Sequence, residues 1–299
     1  MAERIIRTDG VDLCTESFGD RSQPPVLLVM GTGASMLWWD EDFCRMLAQG
    51  GRFVIRYDHR DTGRSFTCEP GAPGYTAADL VTDAAGVLDA HGIPAAHVVG
   101  VSAGGALAQL LALGHAERVR SLVLISTSRA VSGGSELPPP TDDFIRFVST
   151  ARVDWSREDS VVDHLVAYSR MLAGGRRPFD EAAARDLVRR DVERAHDAAA
   201  ARNHDSLAEG RQPPGPLSSI AAPALVVHGT ADPMFPLAHG EALAREIPDA
   251  RLLVLEGAGH GVDPADRETI ARAILEHTER SQGPRAARSG ARGDRRPPG

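Results

Sequence analysis

Lysine is missing altogether: all 33 basic residues are arginine. That excludes chemistry run through a lysine amine, such as Schiff-base or pyridoxal catalysis, and it excludes a P-loop, whose lysine reaches the terminal phosphates. Aromatic residues are scarce, at 5% of 299, and there are only three cysteines. Cys14, Cys44 and Cys68 are odd in number and irregularly spaced, which argues against a disulfide framework or a zinc pattern and leaves buried or half-buried thiols. No apolar run approaches the roughly 18 residues of a membrane helix. The opening Met1-Ala2-Glu3-Arg4 leads into no apolar stretch, so no signal peptide is expected and the expected compartment is the cytoplasm. Acidic residues outnumber basic ones by 41 to 33, a formal net charge of −8. That is the wrong sign for a nucleic-acid-binding face.

What is present suits one well-buried core, with 42% hydrophobic residues. Two short extended runs flank Asp9-Gly10, a hairpin signal. Short Val/Leu/Ile-rich runs then recur at Val26–Met30, Phe53–Tyr57, Val98–Val101, Leu122–Ile125, Ala224–Val227 and Leu252–Leu255. Runs of this kind predict strands buried on both faces of a parallel sheet. Helical stretches lie between them at Thr76–His91, Ala103–His115, Leu237–Ile247 and Asp266–Glu279. The alternation predicts an α/β fold, a mostly parallel, doubly wound sheet with functional groups at the strands' carboxyl ends. From about Ser128 to Pro216 the alternation stops, and helical patterns appear at Phe144–Val148, Val161–Leu172 and Glu181–Ala201. Residues 128–216 are therefore expected to form a helical cap inserted between two strands, with 1–127 and 217–280 as the core. The cap's Phe144, Phe147, Trp155, Tyr168 and Met171 are placed either to roof a pocket or to pack the cap itself. Residues 281–299 carry five Arg against one Asp among Gly, Pro, Ala and Ser, and are expected to be a disordered tail.

The chemistry centres on Gly100-Val101-Ser102-Ala103-Gly104, between a predicted strand and a predicted helix. A strand-to-helix turn this tight forces an unfavourable backbone on its middle residue and crowds the positions two away, where glycine is needed. Ser102 would then stand at the sheet rim beside a helix N-terminus, which favours developing negative charge. The plain alternative is a glycine-rich turn with an incidental serine. A serine hydroxyl needs a base, and the base an orienting acid. Asp232 follows the strand Ala224–Val227 and His260 follows Leu252–Leu255, so the order is Ser, Asp, His. His228 reads as a packed or capping residue, His239 and His277 as helix-surface residues, and Asp263 and Asp266 as helix caps. The strand Leu122–Ile125 ends in Ser126-Thr127-Ser128, with no carboxylate to compete with Asp232.

Oxyanion donors are expected from the backbone of Ala103 and from the loop Gly31-Thr32-Gly33, with Thr32 first and Gly33 next. Gly33, Trp38, Phe144, Phe147 and Phe235 are candidates for lining the substrate pocket. The polar run Tyr57-Asp58-His59-Arg60-Asp61-Thr62-Gly63-Arg64-Ser65 reads as structural, its alternating charges able to pair with one another and Arg60 and Arg64 acting as anchors. No His and carboxylate spacing suggests a metal site, and no cofactor is expected.

Together these residues resemble the α/β-hydrolase superfamily over almost all of residues 1–280. The Asp58–Ser65 run is similar to a structural signature of its capped branches. Glu3-Arg4-Ile5, Leu27-Leu28-Val29-Met30-Gly31, Val54-Ile55-Arg56-Tyr57 and Ala96-His97-Val98-Val99-Gly100 resemble the aclacinomycin methylesterases, a family of anthracycline-tailoring esterases of actinomycetes. The resemblance puts Ser102, Asp232 and His260 at the triad and Thr32 and Ala103 at the oxyanion positions. Two departures are Ala103, where the family has Met, and Thr32, where it has Gly. The expected function is a serine carboxylic-ester hydrolase, acting on a small to medium apolar ester such as a methyl ester of an aromatic polyketide. Lactone opening, thioester hydrolysis, carbon–carbon hydrolysis and perhydrolysis share the machinery, and a non-catalytic ligand-binding role remains a separate reading. The expected partner is the small-molecule ester alone, with no nucleic acid or membrane, in a monomer or small homo-oligomer.

Overall fold

The computed structural model describes residues 2–131, 133–211, 213 and 215–281. Past Ser281, the expected tail lies outside the described residues. Asp9 and Gly10 both adopt positive φ (44° and 82°), the twist that a two-residue hairpin needs. They join β1 (Arg4–Thr8) to β2 (Val11–Phe18). Then follow β3 (Pro25–Val29), β4 (Phe53–Tyr57), β5 (Ala96–Val101), β6 (Val119–Ile125), β7 (Ala224–Gly229) and β8 (Ala250–Leu255). The sheet order is β1-β2-β4-β3-β5-β6-β7-β8. β1 and β2 pair antiparallel, as do β2 and β4, and every later pair is parallel. Each expected strand is present, with its ends moved by a few residues.

Alternate residues of the inner strands feed two cores. Leu27 and Val29 join one face with Leu80, Leu88, Leu107 and Leu243. Val26 and Leu28 join the other with Phe43, Leu47, Ile270 and Ile274. The first set belongs to α2 (Ala77–Ala90), α3 (Ala103–Gly114) and α7 (Ala238–Glu246). The second belongs to α1 (Glu41–Gln49) and α8 (Arg267–Arg280). Helices on both faces bury a parallel sheet completely, which is why the strands read as unbroken apolar runs. α1 was not expected, although Asp40 caps it and Phe43, Cys44 and Leu47 form a buried stripe at helical spacing.

Between β6 and β7 the chain forms the cap helices α4 (Asp142–Thr150), α5 (Glu158–Leu172) and α6 (Glu181–Arg194). α5 and α6 pack around Val162, Val166 and Val188. The helix expected over Glu181–Ala201 stops at Arg194. Its alanine-rich continuation has high helix propensity, but the His196 amide donates to Gly63 O at 2.9 Å and pulls the chain onto the core. The Asp58–Ser65 run is structural, yet its charges pair mostly outside the run. Arg60 makes a bidentate bond to buried Asp83, Arg64 pairs with Glu3, and Asp58 accepts from Arg194 of α6 at 2.7 Å.

Candidate active site

Ser102 links β5 directly to α3 and holds φ 53°, ψ −124°. The space around this turn explains both glycines. A Cβ on Gly100 would lie 2.2 Å from Gly104 O, and one on Gly104 would lie 2.2 Å from Val29 O. Neither contact is possible, so only glycine fits at either position. The neighbouring strand end ties the turn down. Ser102 N donates to Ile125 O at 2.9 Å, and Thr127 Oγ1 donates to Ser102 O at 2.6 Å.

β7 and β8 carry the other two expected groups to the same rim. Asp232 is buried and uses both carboxylate oxygens. Oδ1 accepts from the amides of Met234 and Phe235, each at 2.9 Å, and Oδ2 lies 2.9 Å from His260 Nδ1. Burial alone would raise this carboxyl's pKa, but the His260 imidazole and the Phe235 amide outweigh it and hold the pKa below the usual value. The imidazole is thereby oriented through Nδ1, with Nε2 left on the side away from the carboxylate. Among the described residues no hydrogen bond joins His260 to the Ser102 hydroxyl. Of the three expected groups the structure joins Asp232 to His260, and the Ser102 hydroxyl is a single-bond rotor. Catalytic hydrogen bonds of this type often close only in the reacting complex.

The competing residues have other partners. His228 is fully buried with Nε2 2.7 Å from Phe235 O and 3.6 Å from Asp232 Oδ2, farther from that oxygen than His260, and burial pushes its pKa down. His239 and His277, expected on helix surfaces, are both buried. The first is held by Ser128 Oγ and Pro138 O, the second by Arg251. Their helices pack those faces against the sheet, so the surface reading fails. Asp263 caps the amide of Ala265, and Asp266 pairs with Arg177.

On the oxyanion side, Ala103 begins α3, so its amide has no partner within the helix. Gly31 lies directly over the nucleophile turn: a Cβ there would sit 3.1 Å from Ser102 Cβ. Thr32 follows it. The amide of Gly33, the next choice by sequence, already donates to His204 Nδ1 at 2.9 Å, which leaves Thr32 as the better candidate. Among the described residues no cluster of three or more metal-ligating side chains occurs.

Thr32 and Gly33 also line a cavity of about 620 Å³ between core and cap, walled by Trp155, His164, Tyr168 and Arg202. Of the five residues expected to line a pocket, Gly33 alone lines this one. Trp38 turns into the cap, donating Nε1 to Asp191 Oδ2 at 2.7 Å and packing against the α5–α6 core. Phe144 is buried against Tyr168, Phe147 stacks on His164 with ring centroids 5.8 Å apart, and Phe235 lies 5.7 Å from the His260 ring. Asp191 and His164 escaped the sequence reading. Asp191 had a signal: an acid three residues after Val188 and one before Val192 sits on an otherwise apolar helix face. It accepts from both Ser35 and Trp38, anchoring α6 beside the Thr32 loop.

Residues 24–262 match the family model described as the alpha/beta hydrolase fold, and the chain belongs to that family. Within it, the chain is 34% identical to the rhodomycin D methylesterase DnrP of Streptomyces peucetius, over 93% of this chain and 98% of that one. It is 35% identical to the rhodomycin D methylesterase DauP of Streptomyces sp. strain C5, with the same coverage. Among solved structures, an esterase from Exiguobacterium antarcticum superposes with a TM-score of 0.73 at 20% identity, covering 93% of this chain and all of that one (100%). At that identity the likeness speaks for the fold.

Proposed function

We propose that this chain is a serine carboxylic-ester hydrolase working through Ser102, His260 and Asp232, with 128–216 as a cap over a core formed by 1–127 and 217–280. The carrying observation is the Asp232–His260 pair at the sheet rim that also holds a serine strained at a strand-to-helix turn. His260 Nε2 takes the Ser102 proton as Oγ attacks the ester carbonyl. The amides of Ala103 and Thr32 hold the oxyanion, and the protonated imidazole hands its proton to the departing alcohol. Water, deprotonated by His260, then attacks the acyl-enzyme, and the acid leaves as Ser102 regains its proton. Asp232 keeps the imidazole in the productive tautomer throughout.

Similarity to the two methylesterases favours a methyl ester of an aromatic polyketide as substrate, its bulky acyl part lying in the cavity walled by Trp155 and Tyr168. Three free thiols suit a cytoplasmic enzyme. Ser102→Ala is expected to lower kcat by roughly four orders of magnitude or more with the fold intact. Assaying nitrophenyl esters beside methyl esters of aromatic polyketides tests the substrate class. Near-full activity in Ser102→Ala would overturn the mechanism.

A further inference from the structure

The backbone that carries His260 is held from two sides. Its own amide donates to Leu172 O, at the C-terminus of cap helix α5, at 2.8 Å. The next amide, of Gly261, donates to Ser126 Oγ, at the end of β6, at 3.0 Å. Leu172 O is among the last carbonyls of a helix, which lack partners within it, so the bond satisfies two backbone groups at once. The approach is close enough to demand glycine: a Cβ on Gly259 would sit 2.2 Å from Leu172 O.

The same turn of the cap also presses on the acid's loop. A Cβ on Gly174 would sit 2.1 Å from Ala231 O, one residue before Asp232. The acid and base loops are themselves joined by Ala231 N donating to Ala258 O at 2.9 Å. Ser126 faces the other way as well. It is a buried non-glycine residue at φ 45°, its amide donates to Val227 O, and the residue before it accepts from Ser102 N. β6 thus touches the nucleophile turn and the base loop through consecutive residues.

We propose that the turn Leu172–Gly174 of the cap and the hydroxyl of Ser126 are positioning elements for the acid–base pair, so that seating of the cap sets the aim of His260. This rests on the triad reading above. The cap then has two duties: it walls the substrate cavity, and it completes the catalytic base's alignment. Small displacements of that turn would be felt as lost rate, because misplacement by about 1 Å in a catalytic constellation can cost on the order of a hundredfold.

Two neighbouring glycines provide the test. Gly174 and Gly175 both have positive φ (73° and 67°), but a Cβ on Gly175 meets nothing within 4 Å. Gly174→Ala and Gly175→Ala therefore impose the same backbone strain, and only the first pushes on the Ala231–Asp232 loop. We would measure the rate constant for labelling of Ser102 by a fluorophosphonate, kcat and KM for 4-nitrophenyl acetate, and Tm. Gly174→Ala is expected to lower Tm and, in the folded protein, to slow labelling and lower kcat at least tenfold relative to Gly175→Ala, with KM matching the control. Ser126→Ala is expected to lower kcat at least fivefold at unchanged KM. Equal rates in Gly174→Ala and Gly175→Ala would overturn the proposal, as would wild-type kcat in Ser126→Ala. Should Gly174→Ala fail to fold, Ser126→Ala decides alone. A wild-type protein that takes no label would instead overturn the triad reading itself.

Discussion

Ser102 pays for its exposure in backbone strain. A side chain at φ 53° is held there at a cost of order 1–3 kcal/mol, and its flanking glycines cannot be replaced without collision. Two opposite outcomes follow at one turn. Ser102→Gly relieves the strain and, after the entropy that glycine loses on folding, is expected to raise the unfolding free energy by about 1 kcal/mol while abolishing activity. Gly104→Ala drives a methyl group into Val29 O and is expected to cost about 3 kcal/mol or to leave the protein unfolded. Urea unfolding of both variants checks this. Ser102 was legible because its motif is local: five consecutive residues specify the turn. Thr32 against Gly33 was not fully legible, because the decision lies with His204, 171 residues further on.

Elements were legible where periodicity and burial agree, as in the inner strands, whose apolar runs state that both faces are covered. They were illegible where distant contacts override propensity. α6 ends at Arg194 because the following residues bind the core. There Arg194 donates to Asp58 and to Glu3, each at 2.7 Å. Asp58 is fully buried and also accepts from the amides of Met36 and Arg64. Removing the guanidinium would leave that carboxylate short of its charge partner, so Arg194→Met is expected to destabilise by about 3–5 kcal/mol. Adding Asp58→Asn should recover a part of the loss, since the neutral amide needs no counter-charge. A double-mutant cycle by chemical unfolding measures the coupling. Trp38 belongs to the same class of misreading: read as a pocket residue, it instead donates to Asp191 and helps fasten α6 to the core.

At the scale of the whole molecule, buried histidines set the acid limit. His59 is pushed down to about 3 by burial, with His204 adding to the effect. His97 is pushed down to about 3 by burial and by Arg120. Both are buried and neutral in the fold but titrate near 6.5 when unfolded. Between those values the unfolded chain binds more protons, so stability drops as the pH is lowered, by about 1.4 kcal/mol per unit for each group. The loss begins below about pH 6.5 and continues towards 3. Asp232 acts in the same direction at lower pH: its depressed carboxyl adds stability that is lost as pH falls from the ordinary carboxylate range through its folded value. Urea midpoints at pH 7.5 and 5 should therefore differ sharply, by about 2 kcal/mol for each of the two histidines, and substituting one of them with a neutral residue of similar shape should narrow the gap.

The cap is fastened to the core at many separate points, among them Arg194 on Asp58, Asp191 on Ser35 and Trp38, and Leu172 on His260. In the wall of the cavity Trp155 and Arg202 stand together, with the guanidinium 5.1 Å from the ring centroid. Selection among substrates is then expected to fall to that cation and indole as much as to the chemistry on the sheet rim.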